Sequence, residues 1–503
     1  MTHTKNSKRL RRFILTFIVI LSQNLAFGQE KPNVLFILVD DLGWMDIGAY
    51  GSEFYETPNI DRLAESGVKF TNAYTASPVC SPTRASIMTG KYPSKTYHTD
   101  WFGAPQPWNY QNHWTKNKPL IPAEYNPNLE LEEYTLAEAF KDAGYHTFFA
   151  GKWHLGETAE FWPEAQGFDI NIGGNSKGAP STGNKYFSPY DNPKMENGPE
   201  GEYLPLRLAQ ETVSFIENHQ EKPFLAYLSF YSVHTPLMTT EELELKYLRK
   251  RAKMNLRDEF EPEYANQNRT TQAHAVYGGM VEAMDTAIGI VLESLEEHKL
   301  LENTIIVFFS DNGGLSTAEG SPTSNLPLRA GKGWLYEGGI RVPLLISWKN
   351  QIPAGKTNSS PVISNDFYPT LVDLAGFSNS FPGNGEMDGM SLKPFLMDPE
   401  AELEREALYW HYPHYGNQGG NPGSVIQEDG WKLIYFYEDD RIELYHLEKD
   451  LGERNDLAKS EREKAEYLEK KLKTWLKNTE ARFPEKKDLS LRSFNLPILI
   501  SVQ

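Results

Sequence analysis

The sequence predicts an α/β protein built on a large, mostly parallel sheet, and three observations carry that prediction. Continuous apolar, β-branched and aromatic runs at 33–39 (NVLFILV), 147–150 (TFFA), 224–230 (FLAYLSF) and 304–309 (TIIVFF) read as strands buried on both faces. Helix-like stretches at 58–66, 136–143, 207–219 and 273–297 lie between them, and strand–helix alternation is the mark of parallel sheets. Each run also leads into polar residues: Asp40-Asp41, Gly151-Lys152-Trp153-His154, His234, and Ser310-Asp311-Asn312-Gly313. Such sheets bind ligands beyond the carboxyl ends of their strands, so the four ends are expected to meet at one site.

Taken in chain order, the first segment is an export signal. Lys5, Lys8, Arg9, Arg11 and Arg12 precede an apolar run at 13–21, and Ala26-Phe27-Gly28 supplies small residues for cleavage before Gln29. The run is too short to span a bilayer, and no other segment is expected to reach the roughly 18 apolar residues a span needs. The mature chain is therefore expected to be exported, periplasmic or secreted, without a stable membrane anchor. Thr57-Pro58 reads as an N-cap and first helical residue. Pro82 and the following ASIMTG place a helix start at Cys80-Ser81-Pro82-Thr83-Arg84, with Arg84 one turn in; helix N-termini attract anions. Residues 376–389, rich in Gly, Pro, Ser and Asn, form a connection. Beyond it, 429–437 and 441–447 predict an antiparallel hairpin and 459–478 an amphipathic helix. The expected division is a signal peptide at 1–28, a catalytic domain at 29–385 and a smaller C-terminal α+β unit, with an antiparallel sheet, at 386–503.

The net charge of -18 and pI near 5.2 argue against nucleic acid as a partner, so an anionic substrate needs a local positive pocket. Cys80 is the single cysteine and has no internal disulfide partner. It is either a buried apolar residue or a reactive one. Asp40, Asp41, Asp311 and Asn312 offer oxygen ligands suited to a hard cation, Ca²⁺ or Mg²⁺, and the adjacent Asp pair repels itself unless a cation lies between. Arg84, Lys152, His154, His234, Lys332 and Arg341 add positive donors beside it, the combination a bound sulfate or phosphate ester needs. Arg341 is better read as a structural partner of Glu337. Of the 11 Trp and 26 Tyr, most belong to the core; those between 97 and 125, and the loop Trp410-His411-Tyr412-Pro413-His414-Tyr415, suggest sugar contacts, with His411 and His414 reading hydroxyls.

The segment CSPTR followed by ASIMTGKYP resembles the C-x-P-x-R signature of type I sulfatases. KPNVLFILVDDLGW at Lys31, GKWHLG at Gly151, YSVHTPL around His234, SDNGG at Ser310 and GKGWLYEGGIRVP at Gly331 resemble further motifs of that family, in its order, from Lys31 to about Leu457. The resemblance implies an alkaline-phosphatase-like fold, one Ca²⁺ held by Asp40, Asp41, residue 80, Asp311 and Asn312, and conversion of Cys80 to Cα-formylglycine by a sulfatase-maturing enzyme. It further implies a hydrated aldehyde nucleophile with Asp311 as its base. Arg84, Lys152 and Lys332 balance charge, His234 protonates the departing alcohol, and His154 takes the second hydroxyl's proton. The style is that of bacterial polysaccharide sulfatases, with sulfated algal or glycosaminoglycan fragments as substrates, exo action, and a finer likeness to enzymes acting at O4 of galactose-type sugars. A phosphoester or phosphonate hydrolase of the same superfamily, and an inactive sulfated-glycan binder, are the alternatives.

Overall fold

The structure is a computed structural model that describes residues 31–378, 386–398, 401 and 405–487. The expected signal peptide lies outside the described residues, as does part of the expected connection, including the residue before the expected domain boundary. Eight strands form the large sheet: β1 (Asn33–Val39), β2 (Val68–Phe70), β3 (His146–Gly151), β4 (Ile170–Ile172), β5 (Phe224–Ser229), β6 (Thr304–Ser310), β7 (Leu344–Trp348) and β8 (Lys356–Asn358). Their order is β8-β2-β7-β6-β1-β5-β3-β4. β7 runs antiparallel to β6 and β2, and the remaining pairings are parallel.

Helices α1 (Pro58–Ser66), α2 (Cys80–Thr89), α3 (Leu136–Asp142), α4 (Leu204–Asn218), α6 (Ala275–Glu297) and α7 (Phe367–Leu374) flank this sheet, and α5 (Glu241–Lys253) packs on α6. Side-chain alternation along β1 decides which core each residue joins. Leu35, Ile37 and Val39 face the cluster containing Ile60 of α1, Leu208 of α4 and Met284 of α6. Val34, Phe36 and Leu38 face Ile87 of α2, Phe140 of α3 and Leu371 of α7. Every β1 side chain except that of Asn33 is fully buried, and each Leu or Ile contributes about 1.5–3 kcal/mol by leaving water.

α6 corrects the expectation that no other segment is apolar and long enough to span a membrane. It has 23 residues and a window of mean hydropathy 1.4, but 78% of that window is buried inside the fold, as befits a core helix. α1 begins at Pro58 as expected, yet Thr57 makes no side-chain cap. Its hydroxyl accepts from Gly48 N at 2.8 Å and donates to Asp61 Oδ1 at 3.1 Å, tying the helix to the preceding turn instead.

The C-terminal unit is a four-stranded antiparallel sheet, β9 (Leu408–Tyr412), β10 (Gly423–Glu428), β11 (Trp431–Phe436) and β12 (Ile442–His446), covered by α8 (Arg462–Asn478). The expected hairpin is β11–β12. Leu468, Leu472 and Leu476, spaced by four, put one stripe of α8 against Ile426, Leu433 and Leu444. Trp410 is buried and its indole N–H donates to Thr75 O at 2.7 Å, docking β9 on the chain just before Cys80.

Candidate active site

Register brings the strand ends together. Val39 pairs with Ser310 and Leu38 with Ser229, so Asp40 and Asp311 leave the sheet side by side at the centre. Asp311 N donates to Val39 O at 3.0 Å, Asp40 N to Ser232 O at 2.9 Å, and Lys152 N to Ser229 O at 2.8 Å. Gly151 is required for this approach: its φ is +107°, and a Cβ there would stand 1.8 Å from Ser229 O. Gly313 is required likewise, its Cβ position being 1.8 Å from Gly338 O. Asp41 and His154 both sit at positive φ, 62° and 59°, a strained conformation for residues with a side chain.

Cys80 is the first residue of α2 and is buried. Its Sγ lies 3.3 Å from His154 Nδ1, which is also 3.1 Å from Ser81 Oγ. Arg84, one turn on, donates from Nε to Asp311 Oδ2 at 2.8 Å, and from Nη1 to Lys152 O and Ser229 Oγ, both at 2.7 Å, while buried Nη2 has no partner. Lys152 Nζ reaches Asp40 Oδ2 at 2.6 Å, and Lys332 Nζ reaches Asp41 Oδ1 at 2.7 Å. Lys332 N donates to Gly314 O at 3.1 Å and Gly333 N to Pro78 O at 2.8 Å, stitching its loop to both the Asp311 loop and the approach to Cys80. His234 Nδ1 is 2.7 Å from Thr235 O, and Nε2 is 3.7 Å from Asp41 Oδ2. The structure therefore brings Asp40, Asp41, Cys80, Arg84, Lys152, His154, His234, Asp311, Asn312 and Lys332 into one cluster.

Burial governs its electrostatics. Burial, then the Asp311 and Asp41 charges, push the Asp40 carboxyl well above the usual range against the pull of Lys152. Burial acts the same way on Asp41, but Lys332, His234 and Lys152 outweigh it and hold that carboxyl low. Burial, then Lys152 and Arg84, keep His154 well below the usual imidazole range; burial and Lys332 bring His234 down to about 4. Burial pushes the Cys80 thiol up.

Asp40 Oδ1, Asp41 Oδ2 and Asn312 Oδ1 are buried and accept no hydrogen bond. Orphaned oxygens of this kind are costly in a folded interior and match the hard-ligand set of Ca²⁺. Ligand atoms of Asp40, Asp41 and His234 lie within 4.8 Å of one another, so the His234 imidazole borders the oxygen set read from sequence. Asp311 has less to offer: Oδ2 holds Arg84, and Oδ1 accepts from Asp41 N at 3.2 Å.

The two C-terminal histidines are not brought into this cluster. His411 faces the interior of its own unit, with Nδ1 2.7 Å from Ser424 Oγ and Nε2 2.8 Å from Arg482 O, so neither nitrogen is left for a sugar hydroxyl. His414 is buried between the Tyr125 and Tyr412 rings, with Nε2 2.8 Å from Thr99 Oγ1 and Nδ1 3.7 Å from Asp100 Oδ2. Arg341 pairs with Glu337 at 3.4 Å, as read from sequence. Ser229 was not legible as a site residue; Ser81 had a signal in its place beside Cys80, and Phe102, whose ring is 5.2 Å from that of His154, in the aromatic stretch between 97 and 125.

A profile of the sulfatase family matches residues 32–377, and one for the C-terminal part of N-sulphoglucosamine sulphohydrolase matches 330–482. A sulfatase of Formosa agariphila is 32% identical over 94% of this chain and 94% of its own. Human N-acetylgalactosamine-6-sulfatase is 28% identical over 92% of this chain and 88% of its own. Among solved structures, Ps i-CgsB in complex with k-i-k-neocarrahexaose superposes with a TM-score of 0.71 at 29% identity, covering 89% of this chain and 93% of that one. With the motifs in order, the strand ends assembled around Cys80 and a family match across most of the chain, the protein belongs to the sulfatase family and is a sulfuric ester hydrolase.

Proposed function

We propose that the protein is a carbohydrate sulfatase that releases sulfate from the ends of sulfated oligo- or polysaccharide fragments, with residue 80 as Cα-formylglycine and one Ca²⁺. The observation that carries this reading is the trio of unpartnered buried oxygens on Asp40, Asp41 and Asn312, set beside Cys80 and ringed by Arg84, Lys152 and Lys332. Relatives that act on N-acetylgalactosamine 6-sulfate, and a structural neighbour holding a carrageenan oligosaccharide, favour a sugar as the alcohol. Cys80, His154 and Lys332 are each at most 6% exposed, a recessed floor that favours chain ends over chain middles. Export of the mature chain is part of the same proposal.

Ca²⁺ held by Asp40, Asp41 and Asn312, with residue 80 and Asp311 alongside, supplies Lewis-acid neutralisation of sulfate charge. Formylglycine at position 80 supplies a hydrated aldehyde as nucleophile, which the sulfatase-maturing enzyme must first generate from the cysteine. The chain's own groups do the rest. Arg84 is locked by Asp311, Ser229 and the Lys152 carbonyl, leaving Nη2 for an anionic oxygen. Lys152 and Lys332 add fixed positive charge in a water-poor site, where it acts most strongly. Asp311 is the base for the first hydroxyl at residue 80, and His154, with Nδ1 3.3 Å from Cys80 Sγ, takes the proton of the second. His234, with Nδ1 engaged by Thr235 O, presents Nε2 to the departing alcohol. Each proton-transfer group is worth roughly 10²–10⁴ in rate.

The test is ion chromatography of sulfate and phosphate released from paired sugar sulfates and phosphates by enzyme matured with a formylglycine-generating enzyme. Sulfate release from sugar sulfates is expected. Faster phosphate release supports the hydrolase alternative instead, and tight binding of sulfated sugar without turnover supports the inactive binder.

A further inference from the structure

We infer that Glu319 is a specificity residue which accepts hydrogen bonds from hydroxyls of the sugar that carries the ester; this rests on the carbohydrate sulfatase reading above. Glu319 lies outside every motif of the sequence, yet two distant chain segments converge on it. Gln418 Nε2 donates to Oε1 at 2.7 Å and Asn417 Nδ2 to the same oxygen at 3.1 Å. Thr235 Oγ1, next to His234, donates to Oε2 at 3.2 Å. Gln418 in turn abuts the loop of Lys332, since a Cβ on Gly333 would stand 2.4 Å from its Oε1. The Glu319 charge is also among those that raise Lys332.

A carboxylate offers about four lone-pair sites, and the three donors leave one on Oε2. Glu319 is half-buried, not sealed. Its backbone has φ of +53°, an unfavourable conformation for a residue with a side chain, kept where the surrounding contacts over-determine it. The result is a carboxylate acceptor tied to Thr235, the neighbour of His234, and through Gln418 to the loop that carries Lys332. Such an acceptor has no use for sulfate itself, which it repels. It suits the neighbouring hydroxyls of a sugar, and it disfavours a second sulfate at the same place.

The experiment compares Glu319→Gln with the wild type on a sulfated monosaccharide and on a small aryl sulfate, both with matured enzyme. Glutamine preserves an oxygen for the Gln418 and Asn417 donors, and thermal melting checks that the tie survives. The expected result is a fall in kcat/KM on the sugar sulfate of about ten- to a hundredfold, carried mainly by KM, as for loss of a charge-assisted hydrogen bond. Turnover of the aryl sulfate stays within about twofold, and relative activity on a sugar with an adjacent second sulfate rises. Equal losses on both substrates would make Glu319 a loop tie only, and no change on either would remove it from the site; each overturns the inference. Absence of hydrolysis by the wild type on every sulfate ester overturns the sulfatase reading itself, and this inference with it.

Discussion

The two largest sheets of the molecule bury charge in different ways. In the C-terminal unit, Lys432 Nζ is 2.9 Å from Glu337 Oε1 and 2.8 Å from Glu453 Oε1, with all three side chains fully buried. Glu337 Oε2 accepts from Tyr74 OH at 2.9 Å and Glu453 Oε2 from Glu337 N at 2.7 Å, while Glu453 Oε1 is held by the Lys432 charge alone. At the ends of β1 and β6 the charges are as deep, yet Asp40, Asp41 and Asn312 each keep an oxygen without a donor, and Arg84 keeps a nitrogen without an acceptor. The closed network serves to hold β11 against the Lys332 loop. The open one is completed only by a ligand. What sets the strand-end cluster apart is that three potential ligand oxygens and a guanidinium nitrogen are left open side by side, next to Cys80.

The largest effect that sharpens this comparison is at residue 80. Cys80→Ala is expected to lower sulfate release on the order of 10⁴-fold or more, as for loss of a nucleophile, with a melting temperature close to the wild type. Next comes the converse at the closed network. Lys432→Met leaves buried Glu453 without its counter-charge and Glu337 with Arg341 alone, and is expected to cost about 3–5 kcal/mol in denaturant unfolding, with kcat of the remaining folded enzyme largely kept. Third, Ca²⁺ at about a hundred times its dissociation constant is expected to stabilise the wild type by about 2.7 kcal/mol, and Asp40→Asn to lose most of that shift; an unchanged calcium response in the variant would break the contrast.

A smaller effect concerns pH. Burial lifts Glu453 from its usual 4.5 to about 7, against the pull of Lys432 and with Glu337 adding to the rise. A carboxyl raised on folding stabilises most below its unfolded value and loses that contribution as pH rises through the folded one. Wild-type stability is therefore expected to fall between about pH 4.5 and about pH 7 more steeply than that of Glu453→Gln. The smallest change is His411→Ala, expected to cost about 1–3 kcal/mol of stability through its lost partners while KM stays unaltered.

What the sequence made legible follows from the same physics. Asn33–Val39 is read to its ends because a strand buried on both faces must be apolar throughout, and the polar residues that stop it are the site. β2 and β8 have three residues each, too few for any periodic signal, and nothing local marks β7 as the antiparallel strand. α4 starts at Leu204 rather than 207 because Pro205 belongs to its first turn. α8 starts at Arg462 rather than 459. His411 looked like a ligand in an aromatic, polar loop, but strand pairing of β9 with β10 sets it opposite Ser424. That pairing depends on register, which local composition does not encode. Glu319 left no sequence trace because its partners come from segments 84 and 99 residues away.

The most direct test of the central claim is peptide mass spectrometry across Val79 to Arg84 on protein from its native host. The account predicts the mass of formylglycine at position 80 in the active fraction. An intact cysteine in protein that still releases sulfate would contradict it.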